Sequence, residues 1–334
     1  MPTTPTYYSG QGMPYLTVGT AIIGFQPEGV NGAVTCAVEE KTTPRGSALY
    51  GEMLETFDDA TGRIGFTPFD DWTLIPYLYP AWTGVDTSAI ASGAAAVLKI
   101  GTNPHDPTNA GTMYPGGIWT VDGRQYAFVR CGWNKHPAMK FGAGEKLFGA
   151  AELLALGDPT KLPGATGFLM TGNAITESGA ANPNTLVYAG TNFAQTHWTG
   201  AWGGVTGFDT LEAEDGWDLV ADVKYQTFAS QRITRVSRMT STRFMLKGRL
   251  VGPTHTKLVG AVLAHTSGQV MQHGTVSDFT LTSGTRTVVL HNTEIRSAPF
   301  EFGGTKLNTG EVGFVTSMQF TTAGAPTALV TFSA

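Results

Sequence analysis

The sequence predicts a mainly β protein with two tandem β-sandwich or barrel-like domains, each carrying a short helix and related by internal duplication. Three observations lead to this prediction. Glycine is abundant, with 43 residues, and charged residues make up only 14% of the chain, against about 25% in an average protein. Apolar and polar residues alternate along several segments, as in strands that are buried on one face. A glycine-rich signature also occurs twice in the chain.

The repeated signature is KLPGATGF, which ends at Phe168, and KLNTGEVGF, which ends at Phe314. Further upstream, a constant offset of 184 residues aligns two pairs of segments: GAVTCAVEEK (32–41) with GWDLVADVKY (216–225), and GRIGFTPFDDWTLIPYL (62–78) with LKGRLVGPTHTKLVGAV (246–262). Repetition in the same order predicts duplicated structural units. The alternative is two unrelated β-domains that share a glycine-rich hairpin.

The domain boundaries follow from a change in this offset. Nearer to the signatures the offset falls to 142 residues, where Glu152 aligns with Glu294. The first copy therefore carries extra residues, and an insertion near residues 101–131 is the simplest place for them. We expect a first domain at residues 1–172 and a second domain at residues 173–334.

The strand before the predicted helix has the clearest local pattern. In RFMLKGRLV (243–251), Phe244, Leu246 and Leu250 share one face and basic residues occupy the other, which predicts a half-buried antiparallel strand. GRIGFTPF is its counterpart in the first copy. A short helix should follow each strand, with Thr254 as the cap in the second copy and either Asp70 or Asp71 in the first.

The late segments of each copy are interpreted as strands. Gly-x-x-Gly-Phe predicts a tight turn into a last strand at residues 167–171 and 313–317. Residues 147–156 are helical by propensity, but the aligned residues 287–295 are rich in β-branched side chains. We predict strands at both places because the repeat relates them.

Motifs for catalysis and cofactor binding are missing from the sequence. There is no phosphate-binding or dinucleotide-binding loop, no nucleophile elbow and no Cys-x-x-Cys pair. The histidines never recur at metal-ligand spacing; His265 and His273 are the nearest pair, and the acidic run at residues 211–218 favours a solvated turn over a calcium loop. Cys36 and Cys131 predict no disulfide framework. We expect no metal, no cofactor and no enzymatic activity.

Overall charge and hydropathy exclude several other classes. A net charge of -5 argues against a dedicated binder of DNA or acidic membranes. The first residues have neither the basic nor the apolar region of a signal peptide, and no apolar run is long enough to span a membrane. Tryptophans concentrate at residues 71–82 and 196–202, where they would suit either a sugar-binding platform or a protein interface.

Charge differs sharply between the two copies. Residues 46–75 contain six acids and one base, whereas the aligned residues 230–259 contain seven bases and no acid. Opposite charge on equivalent elements predicts contacts between subunits in which the copies alternate. The candidate contact residues are Glu52, Glu55, Asp58, Arg243, Lys247 and Arg249. Independent solvated faces are the alternative, and nucleic-acid binding is disfavoured because no aromatic residues interleave with the bases.

This layout resembles the tail tube proteins of long-tailed bacteriophages, in particular those with two tandem tube domains. The resemblance covers most of the chain and lies in the order of strands, the short helix and the closing Gly-x-x-Gly-Phe. It implies a virion structural protein without catalysis, made in the host cytoplasm and located in the virion tail. It also implies homotrimeric rings with pseudo-sixfold symmetry. These would stack into a tube, contact other tail proteins and let double-stranded DNA pass without sequence recognition.

Two other function classes remain open at this point. A trimeric virion decoration or tail-tip protein that binds host glycan would use the tryptophan-rich segments. A β-rich hydrolase would need a nucleophile and a base brought together from distant strands. The insertion near residues 101–131 departs from a bare tube domain, and we expect it on the outer surface or between rings.

Overall fold

The computed structural model shows a mainly β protein whose strands pair antiparallel, which confirms the predicted class. The residues that the structure describes are 12–18, 21–28, 33–46, 53–78, 96–98, 114–120, 124–156, 175–177, 195–203, 207–230, 233–251, 258, 276–295, 300–303, 306–316 and 329–333. Thr254, His265, His273, Phe168 and most of the predicted second helix lie outside them.

The strands are numbered in chain order. The first half contains β1 (Gly12–Val18), β2 (Ala21–Gly24), β3 (Thr35–Gly46), β4 (Met53–Phe66), a 3-10 turn (Trp72–Leu74), α1 (Ile75–Leu78), β5 (Ala96–Leu98), β6 (Tyr114–Thr120), β7 (Arg124–Lys135), β8 (Met139–Phe141), β9 (Ala151–Leu156) and β10 (Ile175–Glu177). The second half contains β11 (Thr199–Trp202), β12 (Glu212–Ala213), β13 (Trp217–Ser230), β14 (Ile233–Val251), β15 (Ser277–Ser283), β16 (Arg286–Ile295), β17 (Phe300–Gly303), β18 (Lys306–Thr309), β19 (Glu311–Thr316) and β20 (Val330–Ser333).

The two larger sheets have the same strand order. The first is β2-β1-β6-β7-β9-β4-β3, and the second is β11-β15-β16-β19-β14-β13-β8. Six strands of each sheet remain when β2, β8 and the strands that branch off these paths are set aside: β10 in the first sheet, and β5, β12 and β20 in the second. These six follow the order first, fourth, fifth, sixth, third, second along the chain. A long hairpin therefore forms one side of each sheet, and a later strand pairs beside it.

The register of this later strand can be compared with the predicted alignment. β9 pairs with β4 so that Glu152 lies opposite Gly65, and β19 pairs with β14 so that Glu311 lies opposite Arg249. If the predicted offset of 184 relates residues 65 and 249, it places Glu152 with Glu311, whereas the alignment near the signatures places Glu152 with Glu294. Glu294 lies on β16, which has the place of β7 in the strand order.

The same register bears on the repeated signature. Phe314 lies opposite Leu246, and the corresponding pair in the first sheet is Ala155 with Gly62. Ala155 thus holds the strand position of Phe314, and the structure does not describe Phe168. The two sheets share a strand order, and the predicted equivalence of Phe168 with Phe314 involves a residue outside the described part of the chain.

The predicted alternation on the long strand is confirmed. Phe244, Leu246 and Leu250 are buried, while Arg243 and Arg249 are exposed. Gly248 continues the buried face, where the indole of Trp217 lies so close that an added Cβ would come within 2.7 Å of the ring. Glycine is needed at this position because the aromatic ring occupies the space of a side chain.

Other local predictions have mixed outcomes. The short helix after β4 is present. Of the two predicted caps, Asp71 directly precedes the 3-10 turn, and its carbonyl accepts the N–H of Leu74 at 3.1 Å. Oδ1 of Asp70 instead accepts the N–H groups of Leu147 and Phe148 at 2.8 and 3.3 Å. Residues 151–156 form a strand despite their helical propensity, and residues 286–295 form one as well. The part of the predicted insertion that is described forms β6 and the start of β7, which are interior strands of the first sheet.

The two halves interlock. β5 and β8 belong to the first half, yet they pair with β20 and β13 of the second sheet. One continuous hydrophobic cluster contains buried residues from both halves. Within it, Trp72 stacks on Trp198 with ring centroids 6.2 Å apart and meets Phe332 edge-on at 5.8 Å. The predicted boundary at residues 172 and 173 lies outside the described part of the chain.

Candidate assembly surface

The β13–β14 hairpin extends well beyond the sheet that supports it. The two strands pair from Asp218 with Lys247 to Ser230 with Ile233, with two register shifts along the way. Among the described strands, β19 covers only residues 245–249 of β14, and β8 covers only Trp217–Leu219 of β13. The rest of this hairpin, residues 220–230 and 233–244, is a two-stranded ribbon that we name the second arm.

The β3–β4 hairpin repeats this arrangement. It pairs from Thr35 with Gly65 to Gly46 with Met53, but β9 covers only residues 61–66 of β4. Residues 40–46 and 53–60 form the first arm. A two-stranded hairpin alone in water is marginally stable. The second arm has partial support from its own chain, since Ala221, Val223 and Tyr225 pack against the hydrophobic core.

Strand β3 is also an edge without a described neighbour on its outer side. Its side chains from Thr35 to Glu39 are exposed on both faces of the strand, and Val38 retains 52% of its accessible surface. An edge strand of 12 residues presents a long row of backbone donors and acceptors, which is a template for pairing with another chain.

The structure separates the predicted contact charges into two groups. Glu52 lies outside the described residues, while Glu55 and Asp58 lie on β4 in the first arm. Residues 57 and 59 pair with β3 on either side of a register shift, so residue 58 is the extra residue of a β-bulge. The bases lie on β14, and the exposed Arg243 faces Asp222 across the hairpin.

Two of the predicted bases contact acids of their own chain. Lys247 Nζ lies 2.8 Å from Glu311 Oε1, and Arg249 Nη1 lies 3.7 Å from Glu214 Oε2. Exposed ion pairs of this kind contribute about 0–1 kcal/mol each. Both bases are thus largely balanced within the subunit, which leaves Arg243 as the base most open to a neighbour.

Lys247 belongs to a row of alternating charges across the second sheet. Asp218 lies between Lys140 on β8 and Lys247 on β14, and Glu145 Oε2 is 3.2 Å from Lys140 Nζ. Burial raises the pKa of Asp218, and the two neighbouring lysines partly offset this effect. The row supports the pairing of β8 with β13, where the first half joins the second sheet.

A buried histidine joins the second arm to the first half. Nδ1 of His136 lies 2.8 Å from the carbonyl oxygen of Leu78, and Nε2 contacts the hydroxyl of Tyr225. A carbonyl only accepts, so Nδ1 carries the proton and Nε2 accepts from Tyr225. Burial lowers the pKa of His136 to about 4 and raises the pKa of Tyr225. Both groups are therefore neutral at pH 7.

The described tryptophans of the tryptophan-rich segments are not on the surface. Trp72, Trp198 and Trp202 are all buried in the core, where they contact other aromatic rings. Sequence composition could not separate a sugar-binding surface from a core because Trp suits both. The described tryptophans of these segments therefore serve packing, and Trp82 lies outside the described residues.

Within the described ranges, no group of three or more histidine, cysteine, aspartate or glutamate residues is placed to hold a metal ion. The acidic run predicted as a turn does contain a turn, and its Glu212 lies 3.4 Å from Nε2 of His197. Cys36 is exposed and Cys131 buried, and neither forms a disulfide. None of the described helices has the length and apolar character needed to cross a membrane.

Comparison with known proteins gives no family for the chain. No family profile matches it, and no curated protein sequence matches it significantly.

Sequence reasoning missed the two arms, because the length of a hairpin relative to its neighbouring strands depends on pairing between distant segments.

Proposed function

We propose that this chain is a self-assembling structural protein that forms rings, and that the rings stack into a tube able to conduct double-stranded DNA. The observation that carries the proposal is the pair of long hairpin arms, which extend past their sheets and leave strand edges open among the described residues. The stacking of rings into a tube is inferred from the resemblance to two-domain tail tube proteins. The same resemblance would place it in a virion tail, in contact with other tail proteins.

The arms favour a second copy of this chain as the occupant of the open edges. β3 and β13 hold the same place in the two sheets, so an edge of one subunit can extend a sheet of the next. A contact between unlike edges is heterologous and closes into a ring when its rotation divides a full turn. Ring closure removes the exposed edges that would otherwise promote aggregation.

The proposal includes internal duplication and a sandwich-like arrangement in each unit. Support comes from the identical order of six strands in the two sheets. The cross-strand ion pairs also support duplication. The offset of 184 residues relates Arg63 to Lys247, and the strand registers relate their acidic partners Glu152 and Glu311 in the same way. Three subunits with two similar units each would give a ring with six similar positions.

Electron microscopy of the purified full-length chain tests the proposal directly. Negative staining should show rings or tubes, and sedimentation should give a mass that is a multiple of the 35.3 kDa subunit. A monomer at all concentrations, with no rings in the images, would contradict the proposal.

An edge variant tests which surface assembles. Val38→Lys places a charge on the open edge of β3, a device that natural proteins use to block strand pairing. It should prevent assembly while leaving the melting temperature of the monomer nearly unchanged. The matched control is Val251→Lys, because Val251 is 55% exposed but lies at the far end of β14 from the second arm. Equal assembly of both variants would show that β3 is not the contact.

Charge variants test partner choice. Reversal of Arg243, Lys247 and Arg249 to Glu should misdirect assembly at low salt, and reversal of Glu52, Glu55 and Asp58 to Lys in the same chain should partly restore it. Since Lys247 and Arg249 have internal acidic partners, Arg243→Glu alone should account for most of the effect. Normal assembly of the triple variant would exclude charge as the determinant.

A further inference from the structure

Three hydrogen-bonded side chains form a row across β15, β16 and β20. Asp278 Oδ2 lies 3.0 Å from Nδ1 of His291, and Nε2 of the same ring lies 2.8 Å from Oγ1 of Thr331. An ionised carboxylate only accepts, so Nδ1 carries the proton and Nε2 accepts from the threonine hydroxyl. Carboxylate, imidazole and hydroxyl therefore have the order and the contacts of an acyl-transfer triad.

A β-bulge creates this arrangement. The register of β15 with β16 shifts after Ser277, and Asn292 has a φ of 52°, the one left-handed non-glycine residue among those described. Asp278 Oδ1 accepts the N–H of Asn292 at 2.9 Å, so one carboxylate holds both the bulge and the histidine. Left-handed backbone at a non-glycine residue costs about 1–3 kcal/mol and is concentrated at functional sites.

The row faces the solvent side of the sheet. Val288 and Leu290 of β16 point into the core, whereas His291 lies on the other face with 27% of its side chain exposed. The side chain of Asp278 is 50% exposed, and Thr331 is half-buried. The imidazole of His291 and the carboxylate of Asp278 are thus partly open to solvent, beside the half-buried hydroxyl of Thr331.

We propose that Asp278, His291 and Thr331 form a nucleophilic acyl-transfer site for small activated carboxylic esters. Thr331 Oγ1 attacks the ester carbonyl while His291 Nε2 takes its proton. The ester C–O bond then breaks, and the alcohol leaves with the proton from His291. Water attacks the acyl-threonine with His291 again as base, which releases the carboxylic acid and restores Thr331. Asp278 is the positioning residue that fixes the imidazole tautomer.

Hydrolysis of p-nitrophenyl acetate by the full-length chain tests the proposal. A general base contributes about 100-fold or more to a rate, so His291→Gln should lower the protein-dependent rate at least about tenfold. Thr331→Val should lower it similarly, and Thr331→Ser should keep it because a hydroxyl is retained. Peptide mapping after rapid acid quench should find acetyl on Thr331 in the parent chain and none there in Thr331→Val.

Two matched variants separate this site from general surface reactivity. His197→Gln removes another exposed histidine that contacts an acid, and Thr287→Val removes another half-buried hydroxyl of the same sheet. Both should keep the parent rate. Asp278→Asn should lower kcat with KM unchanged, a split that simple loosening of the bulge would not give.

The outcomes are decisive in either direction. Selective loss of rate at His291 and Thr331, with acetyl on Thr331, establishes the site. If His291→Gln keeps the parent rate, or matches His197→Gln, the proposal is overturned. It is equally overturned if the mapped peptide of the parent chain carries no acetyl group, since the row would then serve only to brace the bulge. The ring assembly proposed above is measured independently and is unaffected by that result.

Discussion

His136 couples the second arm to the first half through two hydrogen bonds, and its burial makes this contact sensitive to acid. Its pKa is about 4 in the folded protein and about 6.5 in an unfolded chain. Between these values the unfolded state binds more protons, so stability falls as the pH falls. The effect is absent above pH 6.5 and complete below pH 4.

We therefore expect the free energy of unfolding to drop by about 2 kcal/mol from this residue between pH 7.5 and pH 5. Denaturant titrations at the two pH values measure the drop, and His136→Gln, which does not titrate there, should show a drop smaller by that amount. An equal pH dependence in both proteins would mean that His136 is not its cause.

Tyr225→Phe removes the hydroxyl that donates to Nε2 of His136. It should lower the free energy of unfolding by about 1 kcal/mol at pH 7.5.

Gly248 is the second residue with a sharp expectation. An added methyl group would meet the buried Trp217 ring at 2.7 Å, and the rings of Phe279 and Phe314 hold that indole in place. Gly248→Ala should lower the free energy of unfolding by about 1–3 kcal/mol, the usual cost of overpacking. Gly313→Ala is the control, since its nearest neighbour is the flexible side chain of Met245 at 3.2 Å. Equal costs at both positions would contradict the assigned role of Trp217.

At the scale of elements, one cross-strand ion pair of each sheet can be compared directly. Double-mutant cycles on Arg63 with Glu152 and on Lys247 with Glu311 should each give a coupling of about 0–1 kcal/mol, and less in high salt. Chemical denaturation of the single and double alanine variants measures both. A coupling well above this range for Lys247 would mean that the charge row acts as a unit.

Local pattern was sufficient to predict some elements and insufficient for others. Alternation in RFMLKGRLV predicts β14 because burial on one face is encoded residue by residue. Local reasoning left Asp70 and Asp71 as alternative caps, and it could not show that the Asp70 carboxylate binds a backbone segment far along the chain. It also gave no sign of Thr331 beside His291, because a bulge and a long-range strand pairing bring them together.

At the scale of the whole molecule, the interlocked sheets make a prediction about fragments. Residues 1–172 contain β5 and β8, whose partners are in the second sheet, and residues 173–334 lack both strands. We expect neither fragment alone to unfold cooperatively, as measured by near-ultraviolet circular dichroism during heating. Co-expression should restore a complex with a cooperative transition. Two independent cooperative transitions from the separate fragments would contradict this.

The pairing of β5 with β20 also sets the order of events when the chain folds. Leu98 pairs with Val330, so this contact closes a loop that includes most of the protein. Contacts between residues so distant in sequence are slow to form because loop closure must precede any gain from pairing. Only hairpins such as β3–β4 and β6–β7 join strands that are close together in the chain, and these can form early. The second sheet is completed late, and its unfinished edge is the surface most exposed to aggregation during refolding.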